Sequence, residues 1–288
     1  MAYEFPRTMV AGESLSRMII GTNWIMGFSH QSPSADKMIR DTHNSDKAIY
    51  PVLEAFLNEG VDTIMGLIGQ TKLLSDSILY AQEKTGRKMH LVDTPIINVG
   101  NSPEARREAE AVIKQSAKAG SKFCFLHHSS VEQLVSKLDH KIDRIDDYTS
   151  MIRDAGMIPG LSAHMPEIIL YCDENEYDIQ TYIQLYNCLG FLMQVEVETV
   201  ASVIHNAKKP VMTIKPMAAG RCTPFVGLNF SWNTIRDCDM VTVGCFTADE
   251  VREDIEISKA ALERRFPGIE KRSSPNQNQD AFGGDDKK

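Results

Sequence analysis

Short apolar runs rich in β-branched residues alternate along the chain with longer stretches whose apolar residues recur every three to four positions. The short runs fit strands buried on both faces, and the longer stretches fit helices that bury one face. Residues 18–22 (MIIGT) form the first strand-like run. A helix is expected over 46–58, where Ile49, Val52, Leu53, Phe56 and Leu57 share a face and Gly60 closes the element. Residues 61–65 read as strand two, 71–85 as its helix closed by Gly86, and 89–92 as strand three. The next helix opens at Ser102-Pro103-Glu104, an N-cap with proline in the first turn. Strand four is expected at 123–126 with a helix running to Gly156, and strand five at 157–161. The helix after it is expected to extend through 172–189, broken near Asp173-Glu174-Asn175. Strands six, seven and eight are expected at 191–195, 211–214 and 240–243, and a last helix from an N-cap Thr247 to about Arg265.

Eight strand-plus-helix units without a break in composition predict an α/β fold, a closed (β/α)8 TIM barrel. An open doubly wound sheet would more often carry a G-x-G-x-x-G turn after its first strand, and none follows residues 18–22. The 288 residues suit one such barrel, expected over 1–268, and the polar aperiodic stretch 269–288 reads as a disordered tail. A hydrophobic share of 42% supplies a core, yet no run approaches a membrane-spanning length and residues 1–14 lack a secretory apolar segment. A net charge of −8 speaks against nucleic-acid partners and leaves a small-molecule substrate as the expected one. The six cysteines include no C-x-x-C pair, which fits neither a structural zinc site nor a disulfide framework and suits a reducing cytoplasm.

Several segments resemble the aldo-keto reductase superfamily in chain order. They are 8–27 (TMVAGESLSRMIIGTNWIMG), Leu126-His127-His128, 160–167 (GLSAHMPE), Gln194-Val195-Glu196, 214–220 (IKPMAAG) and 244–251 (GCFTADEV), together spanning about 8–262. The resemblance implies a barrel whose bottom is plugged by a short N-terminal hairpin, and NADP-dependent carbonyl reduction through an Asp, Tyr, Lys and His set. This sequence departs from that set. Met65 stands where the aspartate is expected, Gln70 where the tyrosine is, and Asp93 where the lysine is, while His127 is retained. Ser162 and Gln194 of the cofactor-contacting positions remain, but Ala163 replaces an asparagine. The resemblance therefore implies the fold more firmly than the reaction.

At the mouth of such a barrel, residues distant in sequence converge. His30, Asp93, Thr94, His127, His128, His164, Gln194, Glu196, Lys215 and Arg221 are expected there. His127 and His164 read as acid/base groups, and Glu196, with Glu198 near it, as a base or a helix-terminal carboxylate. His127, His164, Glu196 and Asp93 together offer an N/O set for a divalent metal. Of the adjacent His127 and His128, strand geometry brings one to the mouth. Asp93 is expected to pair with Lys215; alternatively Lys215 is a desolvated Schiff-base amine. His30, His128, Gln194, Arg221 and Ser162 are candidate substrate contacts, with Ala218-Ala219-Gly220-Arg221 and the Thr247 helix start as anion sites. The polar segment carrying His30 reads as a long loop able to close over a substrate, and Trp24 and Trp232 as core or as a substrate floor. His43, His90, His140 and His205 receive no chemistry. The expected function is proton transfer on a small polar, sugar-derived hydroxy or carbonyl compound: isomerase, epimerase or lyase chemistry, metal-assisted or not. A nicotinamide-dependent oxidoreductase and a non-catalytic metabolite-binding barrel are the alternatives.

Overall fold

The computed structural model describes residues 4–269. The expected residues 269–288 of the tail fall, from residue 270 onward, outside the described residues. The chain opens with a hairpin, β1 (Arg7–Val10) and β2 (Glu13–Ser16), paired antiparallel across Ala11-Gly12. Both turn residues have positive φ, 50° and 86°, the backbone twist that suits a two-residue hairpin turn.

Eight parallel strands follow: β3 (Met18–Gly21), β4 (Thr63–Gly66), β5 (His90–Asp93), β6 (Phe123–Leu126), β9 (Ile158–Ala163), β10 (Tyr182–Leu185), β11 (Val211–Ile214) and β12 (Met240–Val243). They close into a barrel, with Val241 of β12 in register with Met18 of β3. Helices α1 (Asn23–Met26), α2 (Pro33–Thr42) and α3 (Asp46–Asn58) follow the first barrel strand. Then come α4 (Lys72–Thr85), α5 (Pro103–Lys118), α6 (His128–Val131), α7 (Ile145–Asp154), α8 (Glu167–Glu174), α9 (Val197–Asn206), α10 (Pro224–Thr234) and α11 (Ala248–Glu263). A small hairpin, β7 (Val135–Ser136) with β8 (Lys141–Ile142), lies between α6 and α7.

Strand alternation sorts the core into two shells. Ile19, Met65, Val92, Phe123, Phe125, Ile158, Ile183, Met212 and Met240 fill the barrel interior together with Val10 and Leu15 of the hairpin, which therefore plugs the barrel as expected. The alternate residues Met18, Ile20, Ile64, Leu91, Val241 and Val243 on one side, and Cys124, Leu126, Leu161, Tyr182 and Val211 on the other, pack outward against the helices. The interior shell is dense. A Cβ at Gly160 would lie 2.3 Å from the Phe125 ring, so the bulk of one strand occupies the space left by its neighbour.

Four expectations differ from the fold. Strand six is Tyr182–Leu185, inside the stretch read as helix, because α8 ends at Glu174 and Glu176 turns left-handed (φ 55°). The apolar run 191–195 is instead a turn organised by Asn187, whose side chain accepts N–H groups of Leu189 and Phe191, and Leu192 sits at φ 59°. The region 127–156 is not one helix but α6, a 3-10 turn at Glu132–Leu134, the small hairpin and α7. The segment after β3, read as an open loop, carries α1 and α2, the latter capped by Ser32, opened by Pro33 and anchored through buried Ile39.

Candidate active site

The strand alternation that fills the interior continues upward into a cavity of about 750 Å³ at the C-terminal ends of the strands. Each barrel strand sends one inward residue to its wall: Gly21, Met65, Thr94, His127, Ser162, Ile183, Ile214 and Thr242. His30, His128, His164, Lys215 and Arg221 add basic groups to the lining, and Glu250, Glu253 and Asp254 add carboxylates. His127, His164, Lys215, His30, His128, Ser162 and Arg221 are thus brought together.

Asp93, Gln194 and Glu196 are not among the cavity-lining residues. Asp93 has the opposite parity from Val92 and Thr94, so it points outward between barrel and helices. There, fully buried, it accepts N–H bonds from Ile68 (2.8 Å) and Gly69 (2.9 Å). Burial raises its carboxyl above the ordinary aspartate value, opposed by hydrogen bonds from Ser116 and these backbone groups. The expected pairing with Lys215 is replaced by this contact to the β4–α4 connection. Gln194 and Glu196 follow from the displaced strand six: both are exposed in the turn before α9, with Glu196 at its N-cap. Gln184 of the true strand is buried and outward-facing, its amide near the carbonyls of His164 (3.4 Å) and Leu185 (3.3 Å). Trp24 lines the cavity, whereas Trp232 is core, packed on Phe5 at 5.8 Å beneath the Arg17 guanidinium at 5.4 Å. His43 is buried beside Phe246.

His127 and His128 both reach the cavity because β6 ends at Leu126 and the chain turns helical at His128. His127 caps α6: its Nδ1 accepts the Ser129 N–H (3.3 Å) and lies 2.8 Å from the Ser129 hydroxyl. An Nδ1 that accepts a backbone N–H leaves the neutral ring's proton on Nε2. Burial, reinforced by His128, brings the His127 pKa down to about 4, and burial with His128 brings His164 to about 4 as well. Both rings are therefore neutral at pH 7, and His127, its Nδ1 engaged by Ser129, presents an Nε2–H.

The His128 and His164 rings stack at 3.9 Å, 19° from parallel. One helical turn after His128 stands Glu132, whose Oε2 lies 3.7 Å from His128 Nδ1 and whose Oε1 accepts the His164 backbone N–H at 2.7 Å. Burial opposes ionising Glu132, but the bonds from His128 and His164 outweigh it and hold the carboxyl below its ordinary value. One donor atom each from His128, Glu132 and His164 lie within 4.8 Å of one another. Glu132 escaped the sequence reading, although its i,i+4 spacing from His128 places both on one face of any helix that starts there.

On the β11 side, Lys215 Nζ lies 3.2 Å from His30 Nε2. Burial lowers the Lys215 pKa to about 8 and that of His30 below its ordinary value, the Lys215 charge adding to the latter. The Arg221 guanidinium lies over the Phe191 ring at 3.8 Å and donates to the carbonyls of Ala218 and His30.

No protein-family model matches the chain, and no curated protein matches it in sequence. Among solved structures, it is similar to one described as a putative aldo-keto reductase from Pseudomonas aeruginosa. The TM-score is 0.65 at 13% identity, over 89% of this chain and 95% of the other. A second structure under the same description superposes with a TM-score of 0.61 at 13% identity, over 87% and 92% of the two chains. The chain thus has an aldo-keto-reductase-like barrel, and at this identity the likeness is one of fold. Among the described residues no helix is long and apolar enough to cross a membrane.

Proposed function

We propose that this chain is an enzyme that moves a proton on a small polar, sugar-derived hydroxy or carbonyl compound, by isomerase, epimerase or lyase chemistry. The observation that carries this reading is the convergence of neutral His127 and His164 and the Lys215 amine on one cavity, with ionised Glu132 accepting the His164 backbone N–H. Without a metal, the neutral His164 imidazole can take a proton from a carbon next to a carbonyl, and the Nε2–H of His127 can donate to a substrate oxygen. His128, Glu132 and His164 are the residues that would hold a divalent metal, an N/O donor set suited to zinc, manganese or iron. Such an ion polarises a carbonyl oxygen as a Lewis acid. Glu196 and Asp93 have no part in this arrangement.

The test is deuterium wash-in. Wild-type protein in D2O with a panel of pentoses, hexoses and hydroxy acids should erase an α-C–H proton signal from at least one compound. His127→Ala and His164→Ala should slow that loss by about 10²- to 10⁴-fold, the usual worth of a positioned acid or base. Exchange unaffected by both substitutions would sink the reading.

A nicotinamide-dependent oxidoreductase is the second reading, favoured by the fold likeness and by Ser162 in the lining. The lining residues include no tyrosine, so they do not fit the phenolic proton relay that the resemblance implies. NADP binding would quench the fluorescence of Trp24, and the absence of any response to NADPH or NADH would remove this alternative.

A further inference from the structure

Lys215 stands where strand parity would hide it. Ile214 faces inward, so the next residue of a regular strand would point at the helices. Instead Lys215 takes a left-handed backbone (φ 61°), and Ile214, Lys215, Pro216 and Met217 all line the cavity. A non-glycine residue held there is strained, and such strain persists where the surroundings impose it. The surroundings are visible. Gln31 donates to the Ala219 carbonyl (3.0 Å) and Arg221 to the His30 carbonyl (3.3 Å), tying the segment after α1 to the segment after β11.

His30, itself at φ 58°, is orientated by these ties. Its Nδ1 lies 2.9 Å from the Phe28 carbonyl, which can only accept, so the ring proton is on Nδ1. Nε2 then presents its lone pair to Lys215 Nζ at 3.2 Å. A buried charge is normally paired with an opposite one. Among the described residues the partner here is an imidazole, and no acidic group offsets the desolvation of the amine.

We propose that Lys215 captures the carbonyl of the substrate as an imine, with His30 taking the proton that the attacking amine releases. The proposal rests on the reading that the cavity accepts a small carbonyl compound, and it narrows the substrate class to aldehydes and ketones. The Lys215 ammonium first passes a proton to His30 Nε2; the freed Nζ lone pair then forms the new C–N bond while the C=O π pair moves to oxygen, which takes that proton back from the imidazolium. The nitrogen's proton passes to His30 Nε2, giving a neutral carbinolamine. The protonated imidazole returns a proton to the hydroxyl oxygen, which leaves as water and yields the iminium. No oxidant or reductant enters. The cationic nitrogen then withdraws electrons from the adjacent C–H bond and makes its proton more acidic.

The experiment is reductive trapping on the wild-type chain. Protein at pH 7 is incubated with dihydroxyacetone or glyceraldehyde and cyanoborohydride, whose hydride fixes the imine as a secondary amine, and occupancy is mapped by peptide mass spectrometry. Exposed Lys37 and Lys72 serve as internal references. A Lys215 pKa of about 8 against 10.5 gives about 300 times more free amine at pH 7. After allowance for the weaker nucleophilicity of a less basic amine, Lys215 should be labelled at least about tenfold faster than either reference. His30→Gln should slow its labelling, and Lys215→Arg should remove the fast adduct. Labelling of Lys215 no faster than that of Lys37 and Lys72 would overturn the proposal. If deuterium wash-in then survives in Lys215→Arg, the proton-transfer reading stands without an imine; loss of wash-in in every protein tested, wild type included, removes both.

Discussion

Asp93→Ala separates a carboxylate that holds the barrel together from one that does chemistry, because the sequence assigns Asp93 to the site and the structure turns it away. Its two oxygens accept the Ile68 and Gly69 N–H groups in a fully buried position. A Cβ on Gly69 would sit 2.8 Å from Asp93 Oδ2 and 3.0 Å from Ser116 Cα, so the loop is moulded around this carboxylate. Removing it leaves the buried Ile68 N–H and the half-buried Gly69 N–H without partners. At about 1–3 kcal/mol for each buried unsatisfied donor, less the desolvation of the carboxylate that is no longer incurred, the net loss is about 2–4 kcal/mol. For a chain of this size that is roughly 5–15 °C in Tm. The sign with pH is defined as well. A carboxyl raised in the folded state keeps its proton to higher pH than in the unfolded chain, so its contribution falls as pH rises from about 3.9 through the folded value. That falling slope should be missing from Asp93→Ala. Scanning fluorimetry across pH gives both quantities, and deuterium wash-in below the variant's Tm should stay near wild type. A variant that melts like wild type yet loses wash-in would refute the structural assignment of Asp93.

Zinc or manganese at about a hundredfold above its Kd should stabilise the wild type by about 2.7 kcal/mol, roughly 5–10 °C in Tm. Glu132→Ala and His164→Ala should abolish the shift, and equal shifts in all three proteins would place the ion elsewhere. The folded pKa of about 4 for His127 and His164 lies below the unfolded value of about 6.5, so the unfolded chain binds more protons between them. Stability should therefore be complete above pH 6.5 and fall on acidification toward pH 4, a slope that a His127→Asn/His164→Asn double variant should flatten; an unchanged slope argues against buried neutral rings. Gly160→Ala should cost about 1–3 kcal/mol by overpacking against Phe125, whose ring lies 2.3 Å from the added methyl, measured by urea unfolding. Phe125→Leu in the same chain should recover part of that loss, and a neutral Gly160→Ala would show that the interior shell has slack.

The barrel was legible because most of its strands are apolar runs that both shells require. Met18-Ile19-Ile20 and Phe123-Cys124-Phe125-Leu126 place alternate side chains in the interior and under the helices, so neither face tolerates polar residues. The sixth strand was missed for the same reason. Tyr182-Ile183-Gln184-Leu185 and 191–195 each carry one glutamine among apolar residues, and the former continues an amphipathic stretch. What distinguishes them is not composition but the Asn187 side chain, which folds 189–191 into a turn that hydropathy cannot register. The displaced strand carried Gln194 and Glu196 into the expected site with it.

Within the site, parity explains both what the sequence foretold and what it concealed. Thr94, His127 and Ser162 each lie two residues beyond an interior position, at Val92, Phe125 and Gly160, and each reaches the cavity. Asp93 and Gln184 each adjoin an interior residue and point outward, so polarity at a strand end assigns a residue to the mouth only when its parity agrees. Two residues escape the rule through a backbone change. His128 enters because the chain becomes helical there, and this also brings Glu132 onto its face one turn later. Lys215 enters through a left-handed φ that a lysine adopts at a cost. A residue turned from the helix layer into the cavity against both parity and backbone preference, and met there by an imidazole lone pair, is better explained by chemistry at its amine than by packing.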